Sequence, residues 1–136
     1  MTDKEKPTCV VIPSGEQYGS KQTLSYFGGI SAENSGAQGI CMHLVTIPPA
    51  ARAKAHLHEG HESVLYVLSG QAGMWFGENL EEHVDCKPGD YLYIPAGVPH
   101  LPYNASDSEP CTAVVARTDP NEEEGVVLLP ELDKVH

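Results

Sequence analysis

The sequence is poor in basic residues and has no long apolar run. Its 136 residues include 8 lysines and arginines against 19 aspartates and glutamates, which gives a formal net charge of −11. A nucleic-acid-binding protein needs a basic face to neutralise phosphates, so this composition argues against that class and against anionic membrane surfaces. No apolar stretch reaches the length of a membrane-spanning helix, and the polar residues 1–7 lack the apolar segment of a signal peptide. We therefore predict a cytoplasmic protein with no membrane or nucleic-acid partner.

Cysteines and aromatic residues are also few. No two of the four cysteines form a Cys-x-x-Cys unit, so we expect all of them to be reduced core residues rather than metal or disulfide pairs: Cys9, Cys41, Cys86 and Cys111. Cys41 and Cys111 are the candidates for a thiol beside a pocket. Aromatic residues make up 7% of the chain, and we expect five of them to lie in the core or, for one or two, at the mouth of the barrel: Trp75, Phe76, Tyr91, Tyr93 and Tyr103.

Turn-forming residues are abundant by contrast. The 13 glycines and 11 prolines divide the chain into short β-rich segments and argue against long helices. The predicted strands cover residues 9–12, 23–27, 39–47, 53–58, 63–68, 72–76, 80–86, 91–94, 100–103, 111–117 and 126–129. Many short strands at near-regular spacing are typical of an all-β sandwich or barrel. We predict a flexible arm at residues 1–8, one domain at 9–136, a loop at 31–36 and a solvated acidic turn at 121–124.

Three histidines form the most informative pattern. His56 and His58 are two residues apart, and residues at this spacing on a β-strand point to the same face. His100 can supply a third imidazole from another strand. Neutral imidazole binds several divalent transition metals, so the pattern predicts one metal ion and leaves iron, manganese, nickel, zinc and copper open.

The segments around these histidines resemble the two motifs of the cupin superfamily. The second motif is complete, with the spacing that the family shows: Gly89, Pro95, Gly97, His100 and Asn104. In the first motif His56, His58 and Gly70 fit, while Ala50 stands where the family has a glycine. The resemblance extends over residues 40–117. It implies a double-stranded β-helix, the jelly-roll barrel of the family, whose mouth can hold a small molecule, and it implies a homodimer.

The fourth ligand position is the point where the first motif departs from the family. The family has a glutamate there, and the spacing allows either Ser63 or Glu62 at this position. Strand alternation predicts that Ser63 and His61 point inward and that Glu62 points outward, whereas a bulge after His58 would reverse this. Glu62, His61 and a water molecule therefore remain the three alternatives. A site of three histidines and water carries less negative charge and would favour anionic, chelating substrates.

Other polar residues have less specific surroundings. His43 lies in a predicted strand, where it is either a hydrogen-bonded strand residue or an acid or base that lines the pocket. Arg52 and Lys54 precede the histidine pair and are either solvated or anchors for a substrate carboxylate. His83 and His136 are expected to be exposed. Asn104, in the second motif, is expected to stabilise a turn.

These features favour a small metal-dependent enzyme that acts on a small organic molecule. The leading hypothesis is a dioxygenase, in which a metal with open positions binds the substrate and O₂ side by side. The alternative enzyme is a non-redox isomerase, cyclase or lyase in which the metal acts as a Lewis acid. A non-catalytic module that binds or senses a small molecule, and a metal-free structural barrel, are the two hypotheses outside catalysis.

Overall fold

The computed structural model describes residues 7–14, 17–19, 25–121 and 125–136. Within them the chain forms eleven strands, one short α-helix and one 3-10 turn. The strands are β1 Gln17–Gly19, β2 Ser25–Ile30, β3 Cys41–Ile47, β4 His56–His58, β5 Ser63–Ser69, β6 Ala72–Phe76, β7 Glu82–Cys86, β8 Tyr91–Ile94, β9 His100–Asn104, β10 Cys111–Arg117 and β11 Val126–Leu128. The helix α1 is Ala32–Ser35, and the 3-10 turn is Pro130–Leu132.

The described strands form two antiparallel sheets. The first has six strands in the order β1-β2-β3-β10-β5-β8, and the second has five in the order β11-β4-β9-β6-β7. Strands that are distant in the chain, such as β3 and β10, are neighbours, as a jelly roll requires. This arrangement confirms the predicted all-β jelly-roll fold. No helix in the described ranges is both long and apolar enough to cross a bilayer.

The inner face of each long strand follows the two-residue period of the backbone. Strands β3 and β10 alternate between buried and more exposed residues, and their buried residues are Cys41, His43, Val45, Ile47, Cys111, Ala113, Val115 and Arg117. Strand β10 lies between β3 and β5, with Arg117 opposite Cys41 on one side and Ser63 on the other. This register brings two polar side chains to the same end of the six-stranded sheet.

The core is built from small aliphatic residues rather than from aromatic rings. A larger cluster includes Val45, Val67 and Val115, and a smaller one contains Ala55, Leu80 and Leu101. The expectation that five aromatic residues lie in the core is wrong for two of them. Tyr91 is 83% exposed and Tyr93 is 55% exposed, because β8 is the edge strand of its sheet and these two residues face outward. The other three are half-buried.

Two turn residues are fixed by specific contacts. Gly70 has a φ of +83°, and a Cβ there would collide with the carbonyl oxygen of Pro110, so the turn between β5 and β6 requires glycine. The Asn104 amide donates to the carbonyls of Ile47, Pro48 and Glu109 at 3.0, 3.2 and 2.7 Å. The role predicted for Asn104, stabilising a turn, is confirmed.

Several local predictions are corrected. Residues 9–12 form no strand, and Cys9 is exposed rather than buried, because no described strand pairs with this segment. The loop expected at 31–36 contains α1, and the strand expected at 53–58 is confined to His56–His58. Some predictions fall outside the described residues: residues 1–6 of the arm, residues 23–24 of a strand and residues 122–124 of the acidic turn.

Candidate metal centre

Two strands of the five-stranded sheet bring three imidazoles to one point. His56 and His58 lie on the inner face of β4, and His100 begins β9, directly opposite His56 in the register of the two strands. All three side chains are buried. One ring nitrogen from each lies within 4.8 Å of the other two, the spacing expected of donors that share one metal ion. Within the described residues, the structure thus brings together three of the predicted ligands.

Hydrogen bonds fix the orientation of two of the rings. His56 Nδ1 lies 2.7 Å from the carbonyl oxygen of Lys54, and His100 Nδ1 lies 2.9 Å from that of Val98. Because a carbonyl oxygen can only accept, each Nδ1 carries the proton and each Nε2 carries a lone pair. The Nδ1 atom of His58 is buried and has no hydrogen-bond partner among the described residues. The three rings therefore have the chemistry of metal donors.

Burial keeps these imidazoles neutral. It lowers the pKa of His58 to about 2, with a further contribution from the positive charge of Arg117. Burial also lowers the pKa of His100 to about 4, against the raising effect of its hydrogen bond to Val98. The pKa of His56 is lowered well below its usual value, by burial first and by His100 second. Neutral imidazole is the form that binds a metal, so the cluster is ready to ligate at neutral pH.

The facing sheet completes a cavity of about 50 Å³ around the histidines. Ser63 at the start of β5 and Arg117 at the end of β10 supply its other polar lining, among apolar residues such as Leu65 and Met74. The space holds about three to five water-sized groups, since one such group needs roughly 10–15 Å³. It is large enough for a metal ion and a small ligand.

Arg117 was not identified from the sequence. Its guanidinium is buried and makes a hydrogen bond with the Cys41 thiol, and its charge contributes to the low pKa of each of the three histidines. The sequence does hold one signal for it. Arg117 follows Cys111, Ala113 and Val115 at intervals of two residues, which places its side chain on the inner face of the strand.

The comparisons with known proteins identify the family. The family model described as "Cupin domain" matches residues 43–117, which is more than half of the chain. The chain is a cupin. A segment of 53 residues is 36% identical to quercetin 2,3-dioxygenase of Bacillus subtilis strain 168, and it covers 39% of this chain and 15% of that enzyme.

Solved oxalate decarboxylases share the fold. A structure of the Bacillus subtilis enzyme superposes with a TM-score of 0.70 at 24% identity, covering 84% of this cupin and 30% of that chain. The Lactobacillus farciminis enzyme in its formate complex gives a TM-score of 0.69 at 20% identity, covering 84% and 33%. This cupin therefore spans about a third of the length of these enzymes, and at this identity the likeness describes the fold alone.

Glu62, one of the three alternatives for the fourth ligand, lies outside the histidine cluster in this cupin. Glu62 is exposed, and its carboxylate accepts a hydrogen bond of 2.7 Å from the Tyr93 hydroxyl on the outer side of the sheet. Ser63, the first residue of β5, is buried and occupies the inward position at this end of the strand.

His61, the alternative ligand, is buried near the cluster but is paired elsewhere. Its ring lies 5.2 Å from that of His58, centroid to centroid, while its Nδ1 lies 3.4 Å from a carboxylate oxygen of Asp119. His61 is not in the group of described residues whose donor atoms lie within 4.8 Å of one another. Ser63 is buried inside the cavity, and its hydroxyl has no hydrogen-bond partner within the described ranges.

The positive side chains that precede the histidine pair do not reach the cavity lining. Arg52 is exposed and donates hydrogen bonds of 2.6 Å to the carbonyl oxygens of Asp133 and His136, so it holds the C-terminal segment against the sheet. Lys54 is exposed. Of the two alternatives for these residues, exposure to solvent agrees with the structure, and the buried guanidinium that lines the cavity is that of Arg117.

The remaining histidines differ in their surroundings. His43 is buried on β3, and burial followed by the charge of Arg117 lowers its pKa to about 3, so its imidazole is uncharged at neutral pH. His83, expected to be exposed, is half-buried and lies 2.7 Å from the Tyr103 hydroxyl. His136 is exposed as predicted, although its ring stacks on Trp75 with centroids 3.5 Å apart.

The cysteines of the described residues are free, as predicted, and three of them are buried. Burial raises the pKa of the Cys41 thiol and of the Cys111 thiol. Cys111 lines an apolar cavity of about 60 Å³ between the sheets, and Cys86 lines the same cavity. A buried thiol with a raised pKa is a poor nucleophile, so these residues have the chemistry of core side chains.

Proposed function

We propose that this cupin is a metal-dependent enzyme that acts on a small organic molecule and holds one divalent transition metal through His56, His58 and His100. The observation that supports this most directly is the convergence of three buried, neutral imidazoles whose ring nitrogens lie within 4.8 Å of one another. Two of these rings are oriented by backbone carbonyls, as metal-ligating histidines usually are. The donor set suits iron, manganese, nickel, zinc or copper.

The bound metal would supply a Lewis-acidic centre with open positions for substrate. The protein contributes the rest of the environment. Apolar residues around the histidines limit the access of water, and the Arg117 guanidinium adds positive charge where a substrate anion would lie. Ser63 adds a hydroxyl that can donate to that anion.

Within this class we favour a dioxygenase. The support is the 36% identity to quercetin 2,3-dioxygenase over 53 residues. A non-redox lyase or isomerase is the second candidate, and the buried Arg117 is the observation that favours it, because a fixed cation stabilises a carboxylate or an enolate as negative charge develops. The homodimer and the cytoplasmic location stay predictions.

Elemental analysis of the purified protein is the test. We expect about one transition-metal ion per chain in the parent protein and none in a double variant, His56→Ala with His58→Ala. A His83→Ala variant is the matched control, because it removes a histidine outside the cluster and should keep the metal. A parent protein that holds no metal as purified and takes up none of the five candidate ions would refute the proposal.

Kinetic assays then distinguish the two candidate reactions. Oxygen uptake that depends on substrate supports a dioxygenase, whereas turnover of the same substrate in anaerobic solution supports a non-redox enzyme. A protein that binds metal and small carboxylates tightly but turns over none of the substrates tested under either condition would be a binding module.

A further inference from the structure

The C-terminal segment pairs with the strand that contains two of the three histidines. Its strand β11 is paired with β4 at all three residues of β4. On the other side, among the described residues, β4 has one paired position with β9, that of His56 with His100. The amide of Gly97 adds a hydrogen bond of 2.9 Å to the His58 carbonyl. The segment 125–136, which we name the C-terminal clamp, therefore provides most of the strand pairing of β4.

Apolar and polar contacts hold the clamp against the sheet. Leu129 and Leu132 of the clamp pack on the small core cluster that contains Ala55 and Leu101. Arg52 donates hydrogen bonds of 2.6 Å to two carbonyl oxygens of the clamp. Ala55 directly precedes β4, and Leu101 follows the first residue of β9, so the clamp packs against the neighbours of the metal donors.

One carboxylate of the clamp is linked to a metal-binding ring through a single peptide group. An oxygen of the Asp133 carboxylate accepts a hydrogen bond of 2.7 Å from the amide of Ala55. The same peptide group contains the Lys54 carbonyl, which accepts a hydrogen bond of 2.7 Å from His56 Nδ1. Because a peptide group is planar, an interaction that fixes its N–H also fixes the direction of its C=O. Asp133 thus orients the carbonyl that orients the His56 ring.

Loss of this carboxylate would affect His56 as well as the clamp. Ala55 is 0% exposed, and a buried amide that loses its acceptor is costly to leave unpaired. A rotation of the peptide group towards another acceptor or towards water would turn the Lys54 carbonyl away from His56. The ring would then lose the contact that aims its Nε2 at the metal position.

We propose that Asp133 is a positioning residue for the metal centre, and that docking of the C-terminal clamp and binding of the metal favour each other. This inference rests on the proposed function, because it requires the three histidines to bind a metal ion. Such coupling is reciprocal, so a docked clamp raises the affinity for the metal by the same factor by which bound metal favours the docked clamp.

The affinity for Zn²⁺, measured by competition with a chelator of known affinity, tests the role of Asp133. Asp133→Ala should weaken Zn²⁺ binding by about tenfold, the lower end of the effect of removing an outer contact of a metal ligand. Asp133→Asn keeps an oxygen acceptor for the Ala55 amide and should restore most of the affinity. Glu131→Ala is the matched control, since it removes an exposed carboxylate from the same segment and should leave the affinity unchanged.

A further control separates positioning from overall stability. Ile47 lies in the larger core cluster, on a strand of the sheet that does not contain the three histidines. Ile47→Val should destabilise the whole fold and leave the affinity of the folded protein for Zn²⁺ unchanged.

The fluorescence of Trp75 reports whether the clamp is docked. Trp75 is the one tryptophan of the chain, and its ring stacks on the His136 ring of the clamp with centroids 3.5 Å apart. In metal-free Asp133→Ala protein the emission should shift to longer wavelength, because the ring becomes more exposed to water. Zn²⁺ should shift it back towards the parent emission, and a Zn²⁺-loaded variant that keeps the shifted emission would contradict the coupling.

Arg52→Gln is the second variant if Asp133→Ala does not fold. Arg52 is exposed, and its replacement removes two hydrogen bonds to the clamp, so the Zn²⁺ affinity should fall several-fold. An affinity that is the same in the parent, Asp133→Ala and Arg52→Gln proteins would overturn the inference and leave the metal proposal intact. So would an equal loss of affinity in Ile47→Val. A parent protein that binds neither Zn²⁺ nor any of the other four candidate ions would refute the proposed function and this inference with it.

Discussion

Acid should destabilise the metal-free protein steeply, because its buried histidines cannot take up protons in the folded state. The perturbation is a change from pH 7 to pH 5 after the metal has been stripped with a chelator. Four histidines are buried with lowered pKa values: His43, His56, His58 and His100. Each stays neutral in the folded chain over this range.

The magnitude follows from the difference between the folded and unfolded pKa values. An unfolded histidine has a pKa of about 6.5, whereas the folded values are about 3 for His43, about 2 for His58 and about 4 for His100. Below pH 6.5 the unfolded chain binds more protons, so the stability is complete above that pH and declines as the pH falls towards the folded values. At pH 5 each of these three histidines lowers the free energy of unfolding by about 2 kcal/mol, which is about 6 kcal/mol in total. His56 lowers it further.

A loss of this size is comparable to the whole stability of a domain, which is roughly 5–15 kcal/mol. Urea unfolding at several pH values between 7 and 5 measures it, and this range avoids the titration of most carboxylates at lower pH. In a His58→Gln variant, the slope of the unfolding free energy against pH should correspond to about one proton fewer, because one buried imidazole has been removed. A fall of less than about 2 kcal/mol in the parent protein, the amount due to one histidine, would refute the reasoning.

Two further predictions concern packing and turns. Leu101 is 0% exposed in the small core cluster, so Leu101→Ala should lower the free energy of unfolding by about 2–5 kcal/mol. Leu68→Ala, at a position 47% exposed, should change it by less than about 0.5 kcal/mol, and equal losses in urea unfolding would contradict this. Asn104→Ala removes the donor to three carbonyls and should cost about 1–3 kcal/mol, measured by thermal unfolding. Asn79→Ala, on the surface, is its control, and a similar change in both variants would show that the Asn104 contacts add nothing.

The strands were predictable where the alternation of residues is strong. Strand β6 has the predicted bounds at both ends, and β10 shows an unbroken alternation of inner and outer residues. The apolar residues at 9–12 give the same local signal, yet Val11 is 92% exposed and the segment forms no strand. A strand needs a partner, and β-propensity does not say whether the fold provides one.

The glycine pair at residues 28–29 does not have the role that its local sequence indicates. The predicted strand at residues 23–27 stops before the glycine pair at 28–29, but β2 continues through this pair to Ile30. A Cβ at Gly29 would collide with the carbonyl oxygen of Met42 on β3, so this glycine permits a close approach between two strands. The sequence shows that a glycine is present, whereas its neighbour across the sheet decides which role it has.

The candidate site also contains residues that the sequence predicted and one residue that it did not predict. His56 and His58 were predictable because their spacing is local, and the motif around His100 added the third residue. Arg117 was missed because an arginine at the end of a strand is usually solvated, and its burial depends on the partner strands β3 and β5 on either side. The sequence signal for Arg117 was its two-residue spacing from the buried residues of β10.

The two sheets therefore make separate contributions to the same cavity. The five-stranded sheet provides the metal donors, and the six-stranded sheet sets the charge that faces them through residues 63 and 117. A glutamate at position 63 would add a carboxylate to the donor set, whereas serine supplies only a hydroxyl there.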